Sequence, residues 1–554
     1  MSQQQSIHWL DKLAKGILGW QEKKPGLKLH VDDMKTPSGR VHTGSLRGVL
    51  LHDAIAKVVS EKSGQEVIST YVFNDMDPMD GLPGYLDEEE YQQHMGKPMF
   101  KIPAPALEKS GLDVTKVSKE EKQRFEQAKN FGEFYAFDFM DAFRKLGCDQ
   151  EIIWSHELYQ SGRMDRVIKI ALDSVEEIKK IYKDVADYDL PKKWYPFQVI
   201  CPECGKVGTT LTTDWDGKEV SFECKKNKVA WAKGCEHSGK ISPFGGNGKL
   251  LWKMDWPAHW TELGITIEGA GKDHTSAGGS RDMANQIMER VFETQTPFDI
   301  PYEWILIRGT KMSSSKGIGT SAREFVELFP AQIGRYLFIN KHYNQVIDFD
   351  PTTMAIPDLF DEYDQSARIF WKQEEGDNRM GRAFELSQVE GSNSEVHFLP
   401  RFRDIAIWMQ HPEINEQEKF EEIKGEPLTD FELKVLEERK EYAQIWLDRY
   451  ASDEYQLSFR PGVIPEGVSE LTDEQKQYLT KVDELIDQQD WQGADLQQAL
   501  FDLSKESLGA KKAFQAIYKA FLGKNFGPRA GWFLLTISSE DRKKHFQQLN
   551  IEVK

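Results

Sequence analysis

The segment Thr36-Pro37-Ser38-Gly39-Arg40-Val41-His42-Thr43-Gly44-Ser45 places turn residues, two glycines and an imidazole between an alternating apolar run and a helical pattern. Backbone N–H groups at such a turn point outward, and the positive end of the following helix favours an anion. Pro37, Ser38, Gly39, His42, Gly44 and Ser45 are therefore candidate contacts for the phosphates of a nucleotide such as ATP. Much later, Lys311-Met312-Ser313-Ser314-Ser315-Lys316-Gly317 sets two lysines around three hydroxyls. A cationic loop of this kind suits the charge that develops on a pyrophosphate leaving group, which makes Lys311 and Lys316 candidate catalytic groups. Met312, Ser313, Ser314 and Ser315 join the nucleotide contacts. Each stretch alone is also an ordinary polar turn; the two together carry more weight.

A third cluster is built from sulfur. The chain has five cysteines, and four of them lie between Cys201 and Cys235. Cys201-Pro202-Glu203-Cys204 with Gly205 behind it is a C-x₂-C knuckle, Cys224 follows, and Cys235-Glu236-His237 closes the window. Four thiolates, or three thiolates and the His237 imidazole, would complete a tetrahedral zinc site with no open position, which is a structural centre. Lys192, Lys193, Lys225, Lys226, Lys228 and Lys233 surround it, a local positive charge suited to nucleic-acid phosphate.

The elements that must position these groups follow from periodicity. Residues 27–31 alternate as a strand, Leu46 to Val59 carries one apolar helical face, and residues 67–73 form a second apolar run. Strand, glycine-bearing turn, helix, strand is a βαβ unit, and it predicts a parallel sheet with ligands at the strands' carboxyl ends. The rhythm breaks between about residues 80 and 250, with amphipathic helices at 131–146 and 163–182. It resumes with strands at 265–268 and 304–307 around a helix at 284–292. After Asp350 the pattern is helical and charged, with helices at 431–450 and 473–486.

The 554 residues amount to about three to four domains of chain. A 39% hydrophobic content and a net charge of −19 describe a globular, acidic protein and exclude a wholly basic nucleic-acid binder. No apolar run reaches membrane-spanning length and no signal peptide opens the chain, so a cytoplasmic protein with no membrane partner is expected.

The His-x-Gly turn and the Lys-Met-Ser-x-Ser loop are similar to the HIGH and KMSKS signatures of class I aminoacyl-tRNA synthetases. Within that class, residues 246–260, Gly271-Lys272-Asp273-His274, Tyr302-Glu303-Trp304-Ile305 and 522–532 resemble the class I lysyl-tRNA synthetases, so the resemblance runs nearly end to end. It implies an α/β fold: a Rossmann-type parallel-sheet catalytic domain with a zinc-bearing insertion, followed by an all-α C-terminal region. The implied divisions are 1–80 and 251–350 for the two catalytic halves, 81–250 for the insertion, and 351–554 for a helical stem-contact and anticodon-binding region. The implied reaction joins L-lysine to tRNA(Lys) through lysyl-adenylate, with ATP and Mg²⁺. Thr36, Trp252, His274 and Tyr302 would line the amino-acid pocket; Asp33, Asp255, Glu268 and Asp273 are the candidate carboxylates for an ammonium group. Three positions depart from the signatures: Ser45 ends the first, Ser314 stands where the second has Lys, and Met34 stands where a Gly is expected. Two other readings remain open, a class I synthetase for glutamate and a tRNA-binding regulatory paralogue without activation activity. An arginine in the pocket would favour glutamate.

Overall fold

The computed structural model describes residues 7–309, 321–390, 392, 394–412, 414–452, 455–457, 459–505 and 507–550. The chain forms two compact units, Met1–Asp350 with Gln365–Ser394, and Pro351–Asp364 with Glu395–Lys554.

The first unit is organised by five parallel strands: β1 His30–Lys35, β2 Ile68–Phe73, β3 Glu151–Trp154, β4 Ile267–Gly271 and β5 Phe298–Tyr302. Their spatial order is β5-β4-β1-β2-β3. The chain leaves β1 toward one edge and later fills the other, so the switch point of a doubly wound sheet lies between β1 and β4. The register makes that point a crevice. β1 pairs with β2 over all six residues and β4 with β5 over five, but β1 meets β4 only at Val31–Ile267. Beyond that pair the two strands diverge toward their carboxyl ends.

Helix α1 (Trp9–Gln21) packs on α2 (Leu46–Ser63), the helix after β1. α2 is buried along most of its length and ends at Gly64, whose left-handed φ of 65° costs least in a residue without a side chain. α3 (Trp252–Leu263) enters β4 and likewise ends on a left-handed glycine, Gly264; α4 (Ser280–Arg290) joins β4 to β5.

The strands sit close to their expected places, with informative shifts. β1 begins three residues later than 27–31, because its buried centre is Val31-Asp32-Asp33 and two acids hide the apolar run. β5 was not expected, since Pro301 interrupts it; it lies at the sheet edge, where a missing N–H is tolerated. The strand expected at 304–307 exists as Ile305–Ile307, but it pairs with Ile347–Phe349 in a separate two-stranded sheet. The span 81–250 is also not one insertion, because it supplies β3 to the main sheet. The helix expected at 163–182 is two, Asp165–Asp173 and Val175–Ala186, broken at Ser174 (φ −103°, ψ 23°).

Between β3 and α3, Phe197–Val199 pairs with Gly248–Leu250, and a three-stranded antiparallel sheet carries Cys224, with Cys201, Cys204 and Cys235 in the loops beside it. The second unit is helical among its described residues. It has its own core around Tyr478, Val482, Leu500, Ile517 and Phe533, and a buried Arg439–Asp364 ion pair at 2.5 Å. Among the described residues, no helix is long and apolar enough to cross a membrane.

Candidate active site

The crevice between β1 and β4 opens into a cavity of about 360 Å³. Its lining comes from strand ends: Asp33, Met34, Lys35 and Thr36 from β1 and its exit, Asn74 after β2, Glu268 to Gly271 from β4, and Tyr302 from β5. Trp252, Trp256 and His274 complete it. The three rings form one aromatic wall: Trp252 stacks on Trp256 at 5.8 Å with 20° between planes, and His274 lies 5.6 Å from Trp252 and 6.0 Å from Trp256. Gly48 of α2 lets Asp33 and Tyr302 close over the helix; a Cβ there would fall 2.6 Å from Asp33 Oδ2 and 2.8 Å from Tyr302 Oη.

Acids lie beside the rings. Glu268 is buried, and its oxygens accept from the indole N–H groups of Trp256 (2.6 Å) and Trp260. Burial, with Asp32 nearby, pushes its carboxyl well above the usual range, while Arg281 opposes the shift. Arg281 is itself directed elsewhere: its guanidinium lies 4.6 Å over the Trp260 ring and donates to the carbonyls of Glu268 (2.9 Å) and Pro297 (3.1 Å). Burial raises Asp32 to about 7, although the Thr70 hydroxyl donates to it. Asp33 is also raised by burial, with His52 opposing. His52 takes the Gly269 N–H at Nε2 (2.8 Å) and donates from Nδ1 to Gly48 O (2.7 Å), which pins α2 to β4. Lys35 is the one cation in the lining among the described residues, and burial depresses it. Two acids in the lining, Asp33 and Glu268, with aromatic faces and a single lysine are chemically suited to an ammonium group.

Not every expected acid reaches the cavity. Asp255 lies behind the lining, held by Lys249 (2.9 Å), the Tyr159 hydroxyl (2.5 Å) and Asn74 Nδ2 (3.1 Å). Burial pushes it up, but Lys249 and His259 outweigh burial and hold it well below the usual carboxylate range. Asp273 is exposed and outside the lining. Asn74, Lys35 and Trp256 were not anticipated; Trp256 follows Trp252 by one helical turn, a spacing that could have signalled it.

The His-x-Gly turn stands beside this cavity, at the β1–α2 corner. His42 caps the short turn Thr43–Ser45 that leads into α2. Gly39, at φ 133°, packs where a Cβ would meet Tyr85 Oη at 2.7 Å, and the Arg40 N–H donates to that hydroxyl at 2.7 Å. Pro37 and Ser38 precede it, and Gly44 and Ser45 lie in the Thr43–Ser45 turn. Lys311, Met312, Ser313, Ser314, Ser315 and Lys316 lie outside the described residues. The chain on their C-terminal side is fastened to the turn: Ser321 bridges His42, the Ala322 N–H donates to Val41 O (2.8 Å), and Arg40 donates to Ser321 Oγ and Glu324 (both 2.8 Å). Ser321 in turn caps the helix Ala322–Val326 through a capping box with Glu324.

In the cysteine module, the sulfurs of Cys201, Cys204, Cys224 and Cys235 all lie within 4.8 Å of one another. Cys201 and Cys235 are 3.6 Å apart and Cys204 and Cys224 3.7 Å, too far for disulfides. Four sulfurs about 2.3 Å from a tetrahedral zinc would be about 3.8 Å apart, so the set fits a metal. Gly205 (φ 72°) turns the knuckle, and Gly234 is required because a Cβ would strike Lys225 O at 2.4 Å. His237 is not part of the set; its carbonyl accepts from the Cys224 N–H at 2.8 Å and its ring lies 5.7 Å from Phe222. Lys228 turns inward and donates to Thr210 O, while Lys192, Lys193, Lys225, Lys226 and Lys233 are exposed.

The family model described as tRNA synthetases class I (K) matches residues 7–112 and 114–390. The chain belongs to that family. The synthetase is 33% identical over 540 residues to the lysine–tRNA ligase of Archaeoglobus fulgidus, covering 96% of this chain and 98% of that one. It is 30% identical over 567 residues to the lysine–tRNA ligase of Methanosphaera stadtmanae, covering 98% and 99%. Among solved structures, the synthetase aligns with a glutamate tRNA ligase from Elizabethkingia meningosepticum in complex with its amino acid, at 12% identity and a TM-score of 0.40, over 95% of this chain and 100% of that one.

Proposed function

We propose that this synthetase is a lysine–tRNA ligase, which activates L-lysine with ATP and transfers it to the 3′ end of tRNA(Lys). The observation that carries the specificity is the cavity lining: Asp33 and Glu268 with the Trp252, Trp256 and Tyr302 rings, and no arginine among the described lining residues. For a glutamate side chain the lining offers one lysine, Lys35, whose charge burial disfavours, against two acids, whereas an ammonium restores ionisation to acids that burial has disfavoured.

ATP lies along the turn Pro37 to Ser45, with outward N–H groups and His42 receiving its phosphates. The lysine carboxylate attacks the α-phosphorus, the bond to pyrophosphate breaks, and lysyl-adenylate forms. A ribose hydroxyl of the tRNA then attacks the carbonyl, AMP leaves, and the hydroxyl proton passes to solvent. Neither step uses a covalent enzyme nucleophile, so catalysis is positioning and charge stabilisation. Lys311 and Lys316 neutralise the departing pyrophosphate, and Mg²⁺ bound with the ATP would supply further positive charge. The four cysteines hold one structural zinc, and the exposed lysines around them meet the acceptor strand. The helical region after residue 351 carries the anticodon contacts.

Amino-acid-dependent ATP–pyrophosphate exchange across the twenty amino acids is the test, run with and without tRNA. Exchange with lysine alone supports the proposal, exchange with another amino acid overturns the specificity, and silence in both conditions favours the regulatory paralogue. Metal analysis should find about one zinc per chain, released together with loss of folding of the cysteine module.

A further inference from the structure

Lys249 is an unusual residue for the centre of a protein. Its side chain is 3% exposed, yet it remains charged: burial pulls its ammonium down, and Asp255 and Asp77 outweigh burial and hold it up. It lies outside the cavity lining, and so do both of its carboxylate partners. Each partner, however, reaches the lining through one further hydrogen bond. Asp77 Oδ1 takes Lys249, and its Oδ2 accepts from Thr36 Oγ1 at 2.6 Å. Asp255 Oδ2 takes Lys249 at 2.9 Å and accepts from Asn74 Nδ2 at 3.1 Å. The other Asp255 oxygen is occupied by Tyr159, whose hydroxyl also accepts from the Leu250 N–H at 3.1 Å.

The ammonium is thus a hub with two arms, one ending at Thr36 where β1 runs into the His-x-Gly turn, the other at Asn74 after β2. Its own backbone is fixed from outside the sheet. Lys249 faces Gln198 in the antiparallel pair Phe197–Val199 with Gly248–Leu250, and the Ile200 N–H donates to Asn247 O at 2.8 Å just before Cys201.

Resting on the lysine–tRNA ligase reading, we infer that Lys249 is the positioning residue for amino-acid binding, setting Thr36 and Asn74 through Asp77 and Asp255. The hydroxyl of Thr36 has one proton. Because Asp77 accepts it, the lone pairs of that oxygen are presented to the ligand rather than its proton, which suits an ammonium N–H donor. Asn74 is likewise fixed in one amide orientation, its NH₂ on Asp255, so its carbonyl oxygen is the atom left for other donors. Both arms therefore present acceptors, and both depend on one buried charge. The triphosphate turn has its own supports, Tyr85 and Ser321, so the device acts on lysine and not on ATP.

The experiment is ATP–pyrophosphate exchange with the full chain, L-lysine and ATP each varied. Asp77→Asn leaves Lys249 its pair with Asp255 and cuts only the Thr36 arm. It should raise the KM for lysine about tenfold, the effect of one lost hydrogen bond to a charged group, with kcat and the KM for ATP within about twofold of wild type. Thr36→Val should do the same, and Thr36→Ser should restore the wild-type KM. The Asp77→Asn/Thr36→Val double variant should be no worse than the poorer single variant, because both cut one arm. Multiplicative effects, about a hundredfold together, would overturn the inference, as would a parallel loss of kcat and both KM values. Lys249→Met, if it folds, should exceed both single variants in lysine KM because it releases Asn74 as well; if it does not fold, the Asp77/Thr36 cycle decides alone. A wild-type chain with no lysine-dependent exchange, with or without tRNA, would strike the function proposal instead, and the two failures are told apart by that control.

Discussion

Two buried carboxylates serve the same cavity under opposite electrostatics. Asp255, behind the lining, has Lys249, His259 and Tyr159 around it and is held ionised well below the usual range. Glu268, in the wall, has two indole N–H donors, while the Arg281 guanidinium donates to backbone carbonyls instead of its oxygens, and it is pushed well above that range. The first is a closed structural pair; the second has no buried cation beside its oxygens, so an entering ammonium would favour its ionised form. A carboxylate that already has its cation has nothing left to offer a substrate, so placing acids near a pocket does not say which of them bind.

The sharpest test of this contrast is stability. Asp255→Ala leaves a buried ammonium with one partner and orphans Tyr159 and Asn74, and should lower the unfolding free energy by about 3 kcal/mol or more. Urea unfolding followed by tryptophan fluorescence measures it. A loss under about 1 kcal/mol would mean that the pair is not a structural one.

Glu268→Gln should do the reverse. It keeps the shape but removes the charge, so the KM for lysine should rise about thirtyfold, about 2 kcal/mol, with a smaller stability loss than Asp255→Ala. An unchanged lysine KM in the exchange assay would remove Glu268 from the binding wall.

The sequence already held much of this arrangement, and where it fell short the reason is physical. Alternation and glycine placement were enough to read β1, α2 and β2 as a βαβ unit and to put His42 at its turn. The start of β1 was misplaced because Asp32 and Asp33 occupy its buried centre, where a hydrophobic pattern looks for Val or Ile; the break in the pattern falls at the cavity that Asp33 lines. β5 was hidden by Pro301 and lies where an edge strand tolerates it. Asp255 and Glu268 are indistinguishable as letters, and only Lys249 beside one and Trp256 and Trp260 beside the other separate them. Those are contacts across the fold that spacing does not encode. The choice between Cys235 and His237 was open for the same reason: both are close in sequence, but only Cys235 turns its sulfur to the other three.

The contrast also has a pH signature. In the free protein, burial keeps Asp33 and Glu268 protonated to higher pH than ordinary carboxylates, and Asp32 titrates at about 7. An entering ammonium favours their ionised forms, so binding releases protons below that range and tightens as pH rises. The limit is about tenfold in lysine affinity per pH unit for each proton released, flattening once the acids are ionised in the free protein. The free protein should show the opposite slope from these groups, because unfolding also releases their protons, so their contribution to stability falls as pH rises above the ordinary carboxylate range, for Asp32 up to about 7. Asp255 titrates below this window and contributes to neither slope. Calorimetric titration with lysine at pH 6, 7 and 8, in buffers of different ionisation enthalpy, measures the protons released. Affinity independent of pH would show that the acids are already ionised in the free protein.

The smallest effect separates the two tryptophans. Trp252 is 40% exposed and donates no described hydrogen bond, so its part is the face of its ring, stacked on Trp256. Replacing it by leucine removes a cation–π surface at a partly hydrated site, about 1 kcal/mol, and should raise the lysine KM about fivefold with no change in thermal midpoint beyond a degree or so. Trp256 is 5% exposed and its N–H holds Glu268, so Trp256→Leu frees one oxygen of a buried carboxylate as well as removing a ring. It should lose stability along with affinity, and its pH dependence should shift further upward, because Glu268 loses a donor that favours its charged form. Were the two substitutions to behave alike, the aromatic wall would be acting as bulk alone, and the indole grip on Glu268 would have no part in holding the acid ready for an ammonium group.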